Sequence, residues 1–357
     1  MANNEYMVQR SGASCIKEAY LLFINNIKRI FLNTWKPVLV LCLVAGLGTL
    51  ALPPLFSANP IDLPQSELQA IGNYASTVFI PVVYEVVCFG VFFWILAHVQ
   101  TMLTGGNLKE NIRHSMKFYL ASVAFYAGLF LLLNVIAYLA GLSLVRGGMP
   151  VGRLMYWLQI GWGIVGLLFL LQIPAYCYAT VKCLRDRELK PFKAFGSCWW
   201  GGIRHWGFLF KVFFITGIIT LIIDCVVFLP TGVILIASSV DAFGQLVMGD
   251  PSGLPSTFPV WQCLSIALSI FILAYVGIWL YLNFFYATCS LDVRDQKKRE
   301  AKALAVQPVE ALGTKSDYEE SVTIEIEPKL QKDDIVLLFA FNNFQKFYVA
   351  ERIEKEK

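Results

Sequence analysis

Two carboxylates set in otherwise apolar stretches are the side chains of this chain best placed to do chemistry. Glu85 lies in Val82-Val83-Tyr84-Glu85-Val86-Val87, and Asp224 lies deep in the apolar run that follows Lys211. A charged group at the centre of a membrane helix costs about 2.5–3.5 kcal/mol on insertion scales, so each needs a partner or a bound proton. Two roles are open to them. They are titrating groups on a proton- or ion-coupled path, or they are protonated hydrogen-bond donors that tie helices together through Asn134, Gln159 or Gln172. Aligning Lys211 with Lys117 brings Asp224 to within about one helical turn of the level of Asn134. Glu85, Asp224 and Asn134 are therefore the intramembrane polar candidates.

Other chemistry is sparse. His98, His114 and His205 would permit a metal or phosphate site with Asp186 or Cys183, but their spacing matches no ligand pattern, and isolated interfacial histidines are expected. The nine cysteines form no CxxC pair, and none falls in 57–77, 145–153 or 241–258. Neither a zinc site nor a disulfide framework is expected. The chain carries no HExxH, GxSxG, P-loop or paired-aspartate phosphotransferase motif. The expectation is a non-enzyme with no catalytic residues, no metal and no cofactor.

The elements that must position these groups are six apolar runs, roughly 37–56, 78–103, 118–144, 154–181, 212–240 and 259–288. Each supplies the ~20 residues that a helix needs to cross a ~30 Å hydrocarbon layer. Pro81, Pro174 and Pro230 fall within them, and Pro230 is expected to end or kink the fifth, which then tilts or turns along the exterior surface. Ala124 with Gly128, Ala137 with Gly141, and Gly161, Gly163 and Gly166 offer places for close helix approach inside the bundle.

Charge between the runs is one-sided. Of the 29 basic residues, 5 lie in 1–36, 3 in 104–117, 7 in 182–211 and 12 after Leu291, which leaves only Arg146 and Arg153 on the other side. Lysine and arginine resist translocation, so the rich side and both termini are expected to be cytoplasmic. The first apolar run begins too late for a secretory signal peptide and reads as a retained anchor. A formal charge of +4 clustered beside spans suits anionic lipid headgroups rather than nucleic acid.

Short amphipathic segments precede the odd-numbered runs. Ile16, Tyr20, Phe23, Ile27 and Phe31 recur every three or four residues; Leu108, Ile112, Met116 and Tyr119 do the same, as do Leu189, Phe192, Phe195, Trp199, Ile203 and Trp206. Each predicts a helix lying in the interface. In the third, Lys190, Lys193 and Arg204 are the candidates for lipid headgroups. Two even-numbered runs also end alike, in Tyr178-Ala179-Thr180 then Arg185-Asp186, and in Tyr286-Ala287-Thr288 then Arg294-Asp295. The pattern reads as three units, each an interfacial helix followed by two spans.

The stretch from Ala179 to Trp200 passes from a span's end through Arg185-Asp186-Arg187-Glu188 and Lys193-Ala194-Phe195 into an amphipathic turn. With this layout over 12–290, the chain resembles a loose superfamily of six-helix bacterial inner-membrane proteins that includes the membrane domain of some glycerophosphodiester phosphodiesterases. The resemblance implies a fold and carries over no active-site residue, because the phosphodiesterase catalytic domain has no counterpart here.

After Asp295 a charged segment, Gln296 to Glu300, could prolong the last helix. Further on, Val322, Ile324 and Ile326 alternate with polar residues as a strand would, and 334–344 is apolar but too short to cross. The expected architecture is all-α and polytopic: a cytoplasmic N-terminus with an interfacial helix (1–36), a six-helix transmembrane domain (37–290) and a small cytoplasmic tail (291–357) suited to membrane-protein partners. The expected role is non-enzymatic membrane organisation in the inner membrane, or a membrane subunit of an envelope complex. A transporter or permease component using the intramembrane carboxylates is the alternative.

Overall fold

A computed structural model of the chain describes residues 6–51, 80–148, 151–249 and 252–306. Two compact units divide the chain, Met1–Ala301 and Lys302–Lys357. Of the second, only 302–306 is described, and it is helical. The expectations for 57–77 and for the strand-like tail lie outside the described residues.

Every described element is helical: α1 (Gly12–Asn25), α2 (Ile27–Gly48) with a 3-10 turn at Thr49–Ala51, α3 (Ile80–Thr104), α4 (Leu108–Arg146), α5 (Val151–Arg185), α6 (Pro191–Lys193), α7 (Trp199–Arg204), α8 (Trp206–Val227), α9 (Leu229–Met248) and α10 (Phe258–Val306). A π-helical stretch, Ala194–Cys198, joins α6 to α7. Six helices (α2, α3, α4, α5, α8 and α10) are long and apolar enough to cross a membrane, which makes this a multi-pass membrane protein.

Helix boundaries depart from the apolar runs for local reasons. The first interfacial segment breaks at Asn26, at φ −114° and ψ 15°, so Ile27 and Phe31 belong to the spanning α2 and not to α1. Pro37 then sits inside α2 and brings no N–H to the Asn33 carbonyl. The second amphipathic segment is no separate helix, because Leu108 opens α4 directly. Gly105 and Gly106, at φ +73° and +92°, reverse the chain between α3 and α4, and Asn107 caps the new helix by accepting the Lys109 N–H at 3.0 Å. The third segment is helical from Pro191 to Arg204 and breaks at His205, at φ −102° and ψ 16°.

The fifth run is two helices. Pro230 stands in the first turn of α9, where its missing N–H is tolerated, and α8 ends at Val227. Broken backbone at membrane depth must be satisfied by protein. Ser269 of α10 donates to the Val227 carbonyl at 3.1 Å, and Thr231 hydrogen-bonds both Ser265 and Ser269, at 2.8 and 2.9 Å.

The centre of the packing is α10, in which every residue from Tyr281 to Leu291 is buried. A helix covered on all sides must be surrounded by others. Glycines set the closest approaches: a Cβ on Gly46 of α2 would lie 2.9 Å from the Cys263 carbonyl oxygen, and one on Gly277 would lie 2.9 Å from the Phe92 ring of α3. Of the glycines singled out by sequence spacing, Gly141 is buried and the other four are not. Gly128, Gly161, Gly163 and Gly166 face open space, because α4 and α5 leave the bundle over that stretch and touch chiefly each other. Tyr126 meets Phe169 at 5.9 Å and Phe130 meets Trp162 at 5.7 Å between ring centres. Leu131, Leu132, Leu167 and Leu168 are exposed on this two-helix arm.

In lipid, helices associate through close packing and polar contacts, since burial from hydrocarbon gains little. Gly46→Val should therefore lower the unfolding free energy in detergent by about 1–3 kcal/mol, while Gly161→Val should leave it nearly unchanged. Denaturant titration followed by tryptophan fluorescence measures both.

Candidate functional site

The three intramembrane candidates are not brought together. Asn134 is exposed on the arm and donates to the Phe130 carbonyl of its own helix at 2.8 Å, so it is no partner for Asp224. Asp224 is half-buried one turn before the α8–α9 break, and its Oδ1 is buried without a hydrogen-bond partner among the described residues. Thr220, four residues earlier on the same face, has its hydroxyl in the same state. Glu85 is exposed in the second turn of α3 and lines a cleft of about 300 Å³ between α2, α3 and α10. No ion pair among the described residues includes it.

The densest polar assembly lies elsewhere, at the end of the bundle where the basic residues gather. Asp292, on the last buried turns of α10, takes Lys182 Nζ at 3.0 Å on Oδ1 and the Arg185 guanidinium on Oδ2. Arg185 also reaches the Cys289 sulfur at 3.3 Å, and Lys182 donates to Tyr178 Oη at 3.1 Å. One turn further along, His205 Nε2 lies 2.9 Å from Asp295 Oδ2. The N-terminal strand of chain before α1 closes the far side. Arg10 N–H donates to Ser290 Oγ at 2.8 Å, Ser290 donates back to the Arg10 carbonyl at 2.9 Å, and the Arg10 guanidinium covers the Tyr286 ring at 5.1 Å. On the α3 side, Tyr281 donates to Gln100 Oε1 at 2.6 Å, fully buried.

This assembly locks α5, α8, α3 and the N-terminal segment onto α10. It holds no accessible nucleophile beside a base. Cys183 comes within 3.5 Å of His114 Nε2, but the thiol is fully buried and the imidazole is engaged by the Cys183 carbonyl at 3.0 Å. Cys15, on α1, is likewise buried, and that burial pushes its thiol up to about 11, the direction of an inert cysteine. All nine cysteines are free, and no group of three metal-ligating side chains occurs among the described residues.

The opposite end is tied by a different device. Asp241 of α9 accepts from the Gly253 N–H at 2.8 Å, from Ser252 Oγ at 2.9 Å and from Gln245 Nε2 at 2.7 Å. The Gly253 N–H above all holds its carboxyl below the usual aspartate range, so the strap is formed above that range and released as pH falls through the lowered value.

Of the headgroup candidates, Lys190 and Arg204 are exposed at the two ends of the α6–α7 segment, and Lys193 lies in α6 between them. Phe192 and Trp200 stand out beside them, 74% and 64% exposed, as interfacial anchors do. Gly202 lets this segment settle on α5, where a Cβ would meet the Ala175 Cα at 2.8 Å.

No protein-family model, curated protein or solved structure matches the chain. The polar assembly therefore rests on its own geometry. Local sequence reading passed over Asp292, Lys182 and Gln100 and quoted Arg185 only as part of a repeat, although the echo between 178–186 and 286–295 spans Lys182, Arg185 and Asp292. Removing one member of a buried ion cluster strands the others without compensation, at a cost of about 3–5 kcal/mol. Asp292→Ala should lower the unfolding free energy by that amount, whereas Glu110→Gln, which breaks only the exposed 4.0 Å contact with Arg187, should change it by less than about 1 kcal/mol. Thermal and denaturant unfolding of the two purified variants makes the comparison.

Proposed function

We propose that this chain is a non-enzymatic inner-membrane protein that organises the membrane as the membrane subunit of an envelope complex, offering its α4–α5 arm to a neighbouring membrane protein. The observation that carries this reading is the contrast within one bundle. At the basic end the helices are locked around α10, while none of the described side chains of the arm over 123–140 and 156–171 is buried. A single helix pair of this kind has two apolar faces to fill, and a partner helix with small or polar contacts fills them better than lipid does.

In this reading the basic end faces the cytoplasm, with both termini there, in keeping with the 27 basic residues on that side. The α6–α7 segment lies at the headgroup level, with Lys190, Lys193 and Arg204 as its candidates for anionic lipid and its exposed aromatic rings at the interface. The scheme of an interfacial helix followed by spans is kept for the first and third units, the second having no separate interfacial helix. The near-identical backbone angles at Asn26 and His205, each just ahead of a spanning helix, support it for the first and third units. The fold is that implied by the resemblance to the six-helix inner-membrane superfamily, and the segment after Val306 serves as a second contact for partners.

A photo-crosslinking residue at Leu131 or Leu168 on the arm should yield one discrete protein adduct in native membranes, and the same residue at Val226 on α8 should yield lipid adducts only. Lipid adducts alone at the arm positions would remove the partner from this account.

The second reading is a transporter component. It is favoured by one observation: the helix break at Phe228 lies one turn beyond an Asp224 whose Oδ1 is buried and unpaired among the described residues. In proteoliposomes, Glu85→Gln and Asp224→Asn should then abolish proton-dependent flux at unchanged abundance. Lost abundance with no flux to lose leaves the packing role.

A further inference from the structure

The α2–α3–α10 cleft sets apolar walls beside a carboxylate. Its walls are Leu41 and Ala45 of α2, Phe89 and Phe92 of α3, and Ile270 and Ala274 of α10, and the small side chains Ala45 and Ala274 leave the room for it. Tyr84 is at its upper edge, but its hydroxyl is already given to the Ala45 carbonyl at 3.2 Å. That leaves Glu85 as the one charged group on the lining among the described residues, exposed, without an ion-pair partner among them and about 8 Å along α3 from Ile80.

The two halves of this cleft select different parts of one molecule. An aliphatic and aromatic wall beside hydrocarbon accepts an acyl chain. A lone carboxylate at its mouth, a turn or so below the helix end, sits where a lipid's polar group meets its chains. It would repel phosphate or carboxylate and would be compensated by an ammonium. A free cation would satisfy the charge but not the walls, and a plain hydrocarbon the walls but not the charge. We propose that this cleft binds a lipid with an ammonium-bearing headgroup, its amine on Glu85 and one chain along Leu41, Phe89 and Phe92.

The site stands apart from the α4–α5 arm, so neither proposal falls with the other. The experiment is native mass spectrometry of the full chain in neutral detergent, with phosphatidylethanolamine and phosphatidylglycerol of identical chains in competition. Wild type should retain one phosphatidylethanolamine with about a fivefold preference, the worth of a partly screened ion pair. Glu85→Gln should retain either lipid equally, and Glu85→Lys should reverse the preference. Because Glu85 is exposed and unpaired, both variants should keep the wild-type unfolding midpoint, which is measured alongside. Glycerophosphoethanolamine, which has the headgroup and no chains, should not compete at equal concentration. An unchanged preference in Glu85→Lys, no preference in wild type, or full competition by the chainless headgroup would overturn the assignment.

Discussion

Asp292 is a carboxylate taken almost wholly out of solvent and set between two cations from a different helix, and most of the described structure is arranged around satisfying it. Burial of charge is expensive, and attraction to a single partner seldom repays it. Here Lys182 and Arg185 approach from α5 and divide its two oxygens between them, while Cys289 and Tyr178 take up remaining hydrogen-bonding capacity of the cations. The geometry permits one rotation and one height of α10 against α5. Once that register is fixed, Tyr281 falls opposite Gln100, Ser290 opposite Arg10 and Asp295 opposite His205. In a bundle where apolar contact with a neighbour is worth little more than contact with lipid, such directional pairs are what make one packing differ from its alternatives.

Hydrophobic length was legible in the sequence because hydrocarbon thickness imposes it residue by residue, and the described part of each of the six apolar runs is helical. Helix ends were less so. Nothing in the periodicity of Ile16 to Phe31 announces the stop at Asn26, where the side chain turns back to the Leu22 carbonyl and the backbone leaves the helical region. Pro37 opens the first apolar run in the sequence, yet it sits well inside α2, which starts at Ile27. Pro230 was read correctly as a discontinuity, since α8 ends at Val227 and the proline stands in the first turn of the next helix.

Polar pairing was the least legible. Glu85 and Asp224 stand out in sequence because their neighbours are apolar, and that isolation is what leaves them without protein partners among the described residues. Asp292, by contrast, hid in a charged stretch that looked like the solvated margin of a span. Its partners lie over a hundred positions earlier, a distance that only tertiary packing spans. The glycines tell the same story: Gly161, Gly163 and Gly166 form the conspicuous cluster, while the close approaches are made by the solitary Gly46, Gly202 and Gly277. Proximity along the chain measures local backbone freedom and says nothing of which helix comes near.

From Phe258 to Ala301 the central helix is continuous, with no proline after Pro259 and a full set of clamps along its length, at Ser265 and Ser269, at Tyr281, at Ser290 and at Asp292. Such a rod has no hinge in which to absorb a twist. The turns around Gln296 to Glu300 are therefore the exposed continuation of the same helix that carries the buried clamps and meets the discontinuity beside Pro230.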